Sequence, residues 1–446
     1  MTRMINSTKM QTLHIGFDDT DSRKGMCTTY LAYKIVNDLK KADVEFLDYP
    51  RLVRFNPNIP WKTRGNGAVG ISIKAKNPEK IKNLVKKSVI KYSDIKNGAN
   101  PGLVFLQDEI IPKFLFDLSE TALYKLIHRN SVKKFSKKNR LELFNLGNGQ
   151  GLVGALSVIG YRFSDHTFEL LSYRNKQKFG SKRVIEKNLV KKMQEKTSRS
   201  TFNSYDSKND QVLITPNGPD PVFYGIRGED PESVLSASKM LNHNEKLDGY
   251  MIFKTNQGTG DHLKNEIDIE KFQPYTSGTI KGIVSSIPSI EKGGHIFFMI
   301  NTKGKNIRCG VYKPTQITQI AKNLTIGDTV YLGGGVRKAS RRYSRVFNIE
   351  FLHIKKLVNI KKLENPFCKK CRKHMKSEGA YQGFKCIRCG KTAYEKNSKI
   401  IPRQIKVGLY IPTTSAHRHL TRPKKRLLKR NLPKKLSKNI QWINTY

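Results

Sequence analysis

Apolar residues alternate with other types in "TLHIGF", so that Leu13, Ile15 and Phe17 fall on one face of a strand. Thr28 or Thr29 then caps a helix whose apolar stripe is Leu31, Ile35, Val36 and Leu39. "VEFLDYPRLVRF" and "AVGISIKA" read as further strands, and Asn77-Pro78 opens a helix through Ile81, Leu84 and Val85. Strands alternating with helices predict an α/β or α+β unit to about residue 140. From Gly151 to about Lys254 the order is helix, strand, helix, strand, strand, helix, strand, which predicts a ferredoxin-like layer. The polar interval from Asn175 to Asp210 holds few large apolar residues and reads as an insertion or a mobile loop. Between Tyr275 and Leu357 the pattern changes to five short strands, with the helical piece "QITQIAKNL" between the third and fourth. That arrangement predicts a small OB barrel, whose open face commonly receives single-stranded nucleic acid.

A chain of 446 residues is too long for one core and implies several domains. Its net charge of +47 makes a polyanion, above all nucleic acid, the expected partner. The charge is uneven: no Asp or Glu occurs from Lys396 to Tyr446, and "RHLTRPKKRLLKRNLPKK" is nearly a continuous cationic strip. It reads as an arm that tracks phosphates, against the plainer alternative of a solvated tail. No secretory signal or convincing membrane span is visible, and six cysteines do not make a disulfide scaffold, so a cytoplasmic location is expected.

Four of those cysteines form "CKKC" (Cys368, Cys371) and "CIRC" (Cys386, Cys389), with fourteen residues between the pairs. Each CxxC turn aims two thiolates at one point, and two such turns complete a tetrahedral sulfur cage, so a structural zinc ribbon is expected rather than a redox dithiol. Cys309, in a candidate barrel strand, is expected to be core. The loop "GFDDTDSRKGMCTTY" concentrates Asp18, Asp19 and Asp21 just after the first strand. It reads either as a polar turn with a helix cap or as a magnesium site, with Asp18 and Asp21 as oxygen ligands facing nucleotide phosphates. A second loop, "WKTRGNGAVG", sets Lys62 and Arg64 beside Gly65, Asn66 and Gly67, where cations and bare amides suit phosphate oxygens. Neither loop is a Walker A sequence.

Taken in order, "GFDDTDSRKGMCTTYLA", "RLVRFNPNIPWKTRGNGAVG", "GLVGAL", "PVFYGIRGE", "GGHIFF", the two CxxC pairs and "SAHRHLTRP" resemble the archaeal agmatidine synthetases of isoleucine tRNA over nearly the whole chain. The resemblance implies a multidomain α+β protein: a kinase-like α/β domain at 12–140, a ferredoxin-like domain at 141–272, an OB-fold at 273–360, a zinc ribbon at 361–395 and a basic tail at 396–446. It implies an ATP-dependent ligase that attaches agmatine to C2 of the wobble cytidine of the CAU-anticodon tRNA, through phosphoryl activation of the C2 oxygen, releasing AMP and phosphate. Asp18, Asp19 and Asp21 would organise magnesium and the attacking groups, Thr28 matches the threonine that the family autophosphorylates, and Lys62 and Arg64 would neutralise developing phosphate charge. The expected cofactors are ATP, Mg2+ and structural Zn2+. The amine is assigned to Asp220, Tyr224 and Arg227, although Asp220 departs from the family pattern; RNA contacts are assigned to Arg418, His419, Arg422, Lys424, Lys425 and Arg426. The chain also departs from the family in its N-terminal extension, its lysine-rich tail and the 175–210 interval. The rival readings are a non-enzymatic single-stranded nucleic-acid-binding protein and a small-molecule kinase.

Overall fold

The computed structural model describes residues 9–138, 141–341, 343–432, 436–437 and 439–446. The N-terminal extension through residue 8, and Pro433, Lys434 and Lys435 of the cationic strip, lie outside the described residues.

One eleven-stranded mixed sheet takes ten strands from the first 255 residues and its eleventh from residues 443–445. Its first part contains β1 (Gln11–Asp18), β2 (Arg51–Arg54), β3 (Gly67–Ala75), β4 (Gly102–Leu106) and β5 (Glu142–Asn145). Its second part contains β6 (Thr167–Arg174), β7 (Val222–Gly228) and β8 (Leu247–Thr255). The spatial order is β5-β4-β1-β3-β2-β8-β6-β7, ending on the short strand Thr201–Phe202. The two parts expected as separate domains share this sheet, joined where β8 pairs parallel to β2.

The alternation in β1 does what its pattern predicts. Leu13, Ile15 and Phe17 face helices α1 (Thr28–Lys40) and α2 (Pro78–Tyr92), whose Leu31, Ile35, Val36, Leu39, Val85 and Val89 fill the same core. Asn77 caps α2 by accepting from the Lys80 N–H, with Pro78 in the first turn. Neither Thr28 nor Thr29 caps α1, however: the cap position is Cys27, whose side chain makes no capping bond to the backbone, and the Thr28 hydroxyl accepts from Thr20 instead.

The other face of β1 lies under α4 (Leu152–Gly160), which packs beside α3 (Lys113–Tyr124). Gly16 and Gly70 are cross-strand partners, and a Cβ on Gly16 would stand 2.0 Å from the Ala155 carbonyl oxygen. Glycine on the strand therefore lets the helix backbone rest on the sheet.

The polar 175–210 interval is built rather than a bare loop. It contains α5 (Lys187–Lys196), whose Val190 and Met193 join the core of β6, β7, β8 and α6 (Pro231–Lys239), and two strands of two residues each. Two apolar residues one turn apart suffice to bury one face of a helix that is otherwise lysine-rich.

Five strands close the barrel: β9 (Ser277–Val284), β10 (His295–Thr302), β11 (Lys305–Val311), β12 (Thr329–Arg337) and β13 (Val346–Lys356). β11 and β13 pair in parallel, and β9 pairs with β10 to complete the closure. The short helix α7 (Thr318–Ala321) lies between the third and fourth strands, and Cys309 is wholly buried in the barrel core.

The C-terminal segment corrects the expectation of a free arm. Residues 408–410 pair with β13, and residues 443–445 add an edge to β8 with Ile443 buried against its core. Between them Arg426 is fully buried, bonded to Asp165, Glu229 and the Gly258 carbonyl. Local pattern could not reveal this, because the partner carboxylates of Glu229 and Asp165 lie 197 and 261 residues upstream. No described helix is long and apolar enough to cross a membrane.

Candidate active site

The acidic loop begins where β1 leaves the sheet. Asp19 adopts φ 56°, a left-handed conformation that a short polar side chain tolerates, and its N–H donates to Asp18 Oδ1 at 2.7 Å. Ser22 ties the loop to Asp94 at 2.6 Å. The side chain of Arg64 holds it from the other side. Its Nη2 donates to the carbonyls of Ser22, Gly25 and Met26 at 2.8–3.2 Å, and its Nη1 lies 3.5 Å from Asp21 and 3.4 Å from Asp220. The two loops expected as halves of one site are thus joined by a single guanidinium.

Asp18, Asp19 and Asp21 line one small cavity of about 90 Å³, shared with residues 62–67 and with Gly151, Gly154 and Ser157 at α4. Burial and the neighbouring Asp19 push the Asp18 carboxyl well above the usual carboxylate range. Burial and Asp21 push Asp19 up to about 7, and burial raises Asp21 despite the nearby Arg64. Three crowded carboxyls with one close cation are a donor set that suits a hard cation bound with a polyphosphate. They are not yet gathered into a finished ligand set: among the described residues only the cysteine cluster brings three or more ligand atoms within 4.8 Å of one another.

The phosphate loop is more occupied than its sequence suggests. Lys62 donates to the Pro57 carbonyl at 2.5 Å, and Asn66 donates to the Asn56 carbonyl at 3.0 Å. Gly65 and Gly67 have ordinary backbone angles. They are glycine because the next atoms are side chains: a Cβ on Gly65 would stand 2.6 Å from the His419 ring, and one on Gly67 2.9 Å from Arg54.

A second, larger cavity of about 630 Å³ lies on the far side of Arg64, between the two parts of the sheet. Asp21, Thr28, Glu169, Asp220 and Arg227 line it. Asp220 is buried and also held by Arg183, while Arg227 is bonded to Glu169 at 2.9 Å and to His419 at 3.1 Å. Tyr224 does not reach this cavity. Its ring is core and its hydroxyl meets Ser238, because a bulge after Val222 sets its place along β7. Asp220, Thr28 and Asp21 are thus brought together, whereas Tyr224 leaves the amine assignment. Glu169, Arg183 and Arg54 escaped sequence reasoning; Glu169 and Arg183 sit in a strand and a loop with no local motif, and Arg54 was passed over within "RLVRFNPNIPWKTRGNGAVG".

The four ribbon cysteines converge as their spacing requires, with Cys368 Sγ and Cys389 Sγ 3.6 Å apart. The backbone N–H groups of Cys389 and Arg388 hold the Cys386 thiol down to about 6, the thiolate form that zinc needs. Of the assigned RNA contacts, Lys424 is exposed and Arg418 half-exposed. Arg426 is buried as described, Arg422 pairs with Asp165 at 3.0 Å, and Lys425 is bound to the Ser198 and Thr201 carbonyls. His419 is half-buried, bonded to Gln257 and Arg227. These four side chains are bonded to other parts of the fold, with Lys425 still exposed, because the tail returns to the sheet.

Family models match the chain in three places: the TiaS TCKD domain at residues 14–99, the TiaS FLD domain at 149–262 and the TiaS C-terminal zinc ribbon domain at 365–405. The isoleucine-tRNA 2-agmatinylcytidine synthetase TiaS of Cenarchaeum symbiosum (strain A) is 48% identical over 411 residues, 92% of each chain. The chain belongs to the TiaS family. Two crystal structures of TiaS resemble it over 95% of this chain and 98% of theirs. One is the complex with isoleucine tRNA and ATP, at 33% identity and a TM-score of 0.84; the other is the complex with isoleucine tRNA, AMPCPP and agmatine, at 32% and 0.82. The TCKD match covers the acidic loop and residues 62–67, and the FLD match covers α4, Glu169, Asp220 and Arg227. The two cavities are therefore each built from both matched segments.

Proposed function

We propose that this chain is the ATP-dependent ligase that attaches agmatine to C2 of the wobble cytidine of isoleucine tRNA, so that the anticodon reads AUA. The observation that carries this reading is the pair of cavities flanking Arg64, one lined by three carboxyls and the glycine loop, the other by Asp21, Asp220 and Thr28. Residues 12–140 form its kinase-like domain and 141–272 its ferredoxin-like domain, followed by an OB-fold at 273–360, a zinc ribbon at 361–395 and the C-terminal segment.

ATP is bound at the first cavity. A bound magnesium ion supplies charge neutralisation of the phosphates, with Asp18 and Asp21 as the residues that would hold it. Asp19 orients the attacking oxygen, while Lys62 and the amides of Gly65, Asn66 and Gly67 face the transferred phosphoryl group. Arg64 acts by holding Asp21 and Asp220 in place between the cavities. The cytosine C2 oxygen is a poor leaving group, so its phosphorylation precedes attack by the amine, which expels phosphate. Thr28 lines the second cavity and is the hydroxyl that takes the second phosphoryl group, which converts the remaining ADP to AMP and is then released to water as phosphate. Agmatine is a dication, and Asp220, Asp21 and Glu169 give that cavity the matching charge. Zinc holds the ribbon, and the protein works in the cytoplasm with its tRNA. A mere binder would have no use for three carboxyls buried together in a cationic protein.

Nucleoside mass spectrometry of the CAU-anticodon isoleucine tRNA, after incubation with ATP and agmatine, tests the reading. Agmatidine should replace one cytidine, and Asp18→Asn or Asp21→Asn should abolish AMP release while tRNA affinity is kept or raised. Unchanged cytidine with the native protein overturns the function; full turnover in both variants overturns the site.

A further inference from the structure

Two motifs far apart in the chain, "WKTRGNG" and "SAHRHL", meet in a third cavity, of about 480 Å³. Arg54, Lys62, Arg64, Arg227 and Arg418 all line it, and no Asp or Glu does. In a folded interior such a set is costly unless an anion completes it.

The carboxylates that serve these cations lie outside the lining. Asp21 and Asp220 hold Arg64, Glu169 holds Arg227, and Glu350 lies 3.1 Å from Arg418. Each of these guanidiniums is thus fixed by an acid outside the cavity, as a preorganised anion site requires. Arg54 and Lys62 have no carboxylate within ion-pair distance among the described residues, and the buried Arg54 Nε has no hydrogen-bond partner. Burial lowers the Arg54 guanidinium and the Lys62 amine from their usual values, and Arg418 adds to the effect at Lys62.

The cavity shares Phe55, Lys62, Arg64, Gly65 and Asn66 with the acidic cavity but contains none of its carboxyls. The proposed function puts ATP in the acidic cavity, which leaves this one for a different anion.

We propose that this third cavity binds a backbone phosphate of the tRNA next to the reacting nucleotide, held by Arg54 and Arg418 from opposite ends of the chain. The inference rests on the proposed function for its RNA partner. The phosphodiester would anchor the strand while its base enters the neighbouring cavity. This makes the C-terminal segment part of the substrate site rather than a trailing arm.

The test measures tRNA affinity of the full-length protein at several salt concentrations, without turnover, alongside KM for ATP. Arg54→Gln and Arg418→Gln should each weaken tRNA binding severalfold and lower the slope of log affinity against log salt by about 0.7–0.9 for each phosphate no longer engaged. Arg418→Lys should recover much of the affinity, and KM for ATP should stay within about twofold in all three. A methylphosphonate scan through the anticodon loop should find one position that weakens the native protein but adds nothing to Arg418→Gln. Native tRNA affinity and salt slope in both Gln variants, with native melting temperatures, would overturn the proposal; so would a loss confined to KM for ATP. Either result can occur whether or not the protein makes agmatidine, so the two readings fail separately.

Discussion

A Cβ placed on Gly154 would stand 2.0 Å from an Asp18 carboxylate oxygen, and one on Gly151 would stand 2.4 Å from the Asp18 carbonyl. The two glycines lie one turn apart at the start of α4, so helix and acidic loop touch backbone to side chain. "GLVGAL" carried that signal in its spacing, but only the fold identifies Asp18 as what the glycines make room for. Gly154→Ala should force Asp18 aside, cost about 1–3 kcal/mol by overpacking and lower the rate of ATP cleavage more than about tenfold. Thr121→Ala, on the neighbouring α3, loses only a hydroxyl bonded to the Asp117 carbonyl and should change neither. Melting curves and AMP release for both variants decide it; a fully active Gly154→Ala would mean that the placement of Asp18 is immaterial.

Among the elements, β1, α1, α2 and the barrel strands follow directly from local pattern, whereas the tail does not. A segment without a single acid reads as surface until its partners are known. Arg426 is the clearest case, since Asp165 and Glu229 are held near it by β6, β7 and α6. Arg426→Ala takes from Glu229 its ion-pair partner and leaves buried Asp165 with Arg422 alone, and should cost about 3–5 kcal/mol. Lys424→Ala, two residues away and exposed, should stay within about 0.5 kcal/mol. Chemical denaturation of both variants measures the difference. Equal midpoints would return the tail to the role of a loose arm. On the anchored reading, deleting everything from Arg418 onward damages the fold itself, not only tRNA affinity.

At the scale of the molecule, the barrel is fastened to the sheet through the NPN turn and through one buried acid. Asn56 donates to the Tyr275 carbonyl at 2.6 Å and Asn58 to Ser277 at 2.8 Å. Glu350 of β13 meets His262 at 2.9 Å and Arg418 at 3.1 Å. Burial opposes the Glu350 carboxylate, but Arg418 and His262 outweigh it and hold the group down to about 2, against an ordinary 4.5. Because the folded value lies below the unfolded one, this interaction contributes fully above pH 4.5 and disappears as pH falls toward 2. The native melting temperature should therefore drop more steeply across that window than that of Glu350→Gln, which starts lower but carries no such charge. Parallel curves for the two proteins would remove Glu350 from the docking of the barrel.

Local order settled what repeats or clusters along the chain. The period-two strands, the Asn77-Pro78 helix start, the five barrel strands and the two CxxC turns needed no distant partner to be recognised, because each is a property of neighbouring residues. The same order set the acidic loop and the glycine loop apart as candidates for chemistry. It misread Tyr224, Arg426 and the 175–210 interval, whose roles depend on which groups the topology sets opposite them. Burial is decided by the whole chain: a cation is a surface group until a fold places an acid beside it, and a polar stretch is a loop until two apolar residues find a core. The joined sheet, the guanidinium of Arg64 between two cavities and the meeting of "WKTRGNG" with "SAHRHL" exist only in three dimensions, since the approach of residues hundreds apart leaves no trace in local composition.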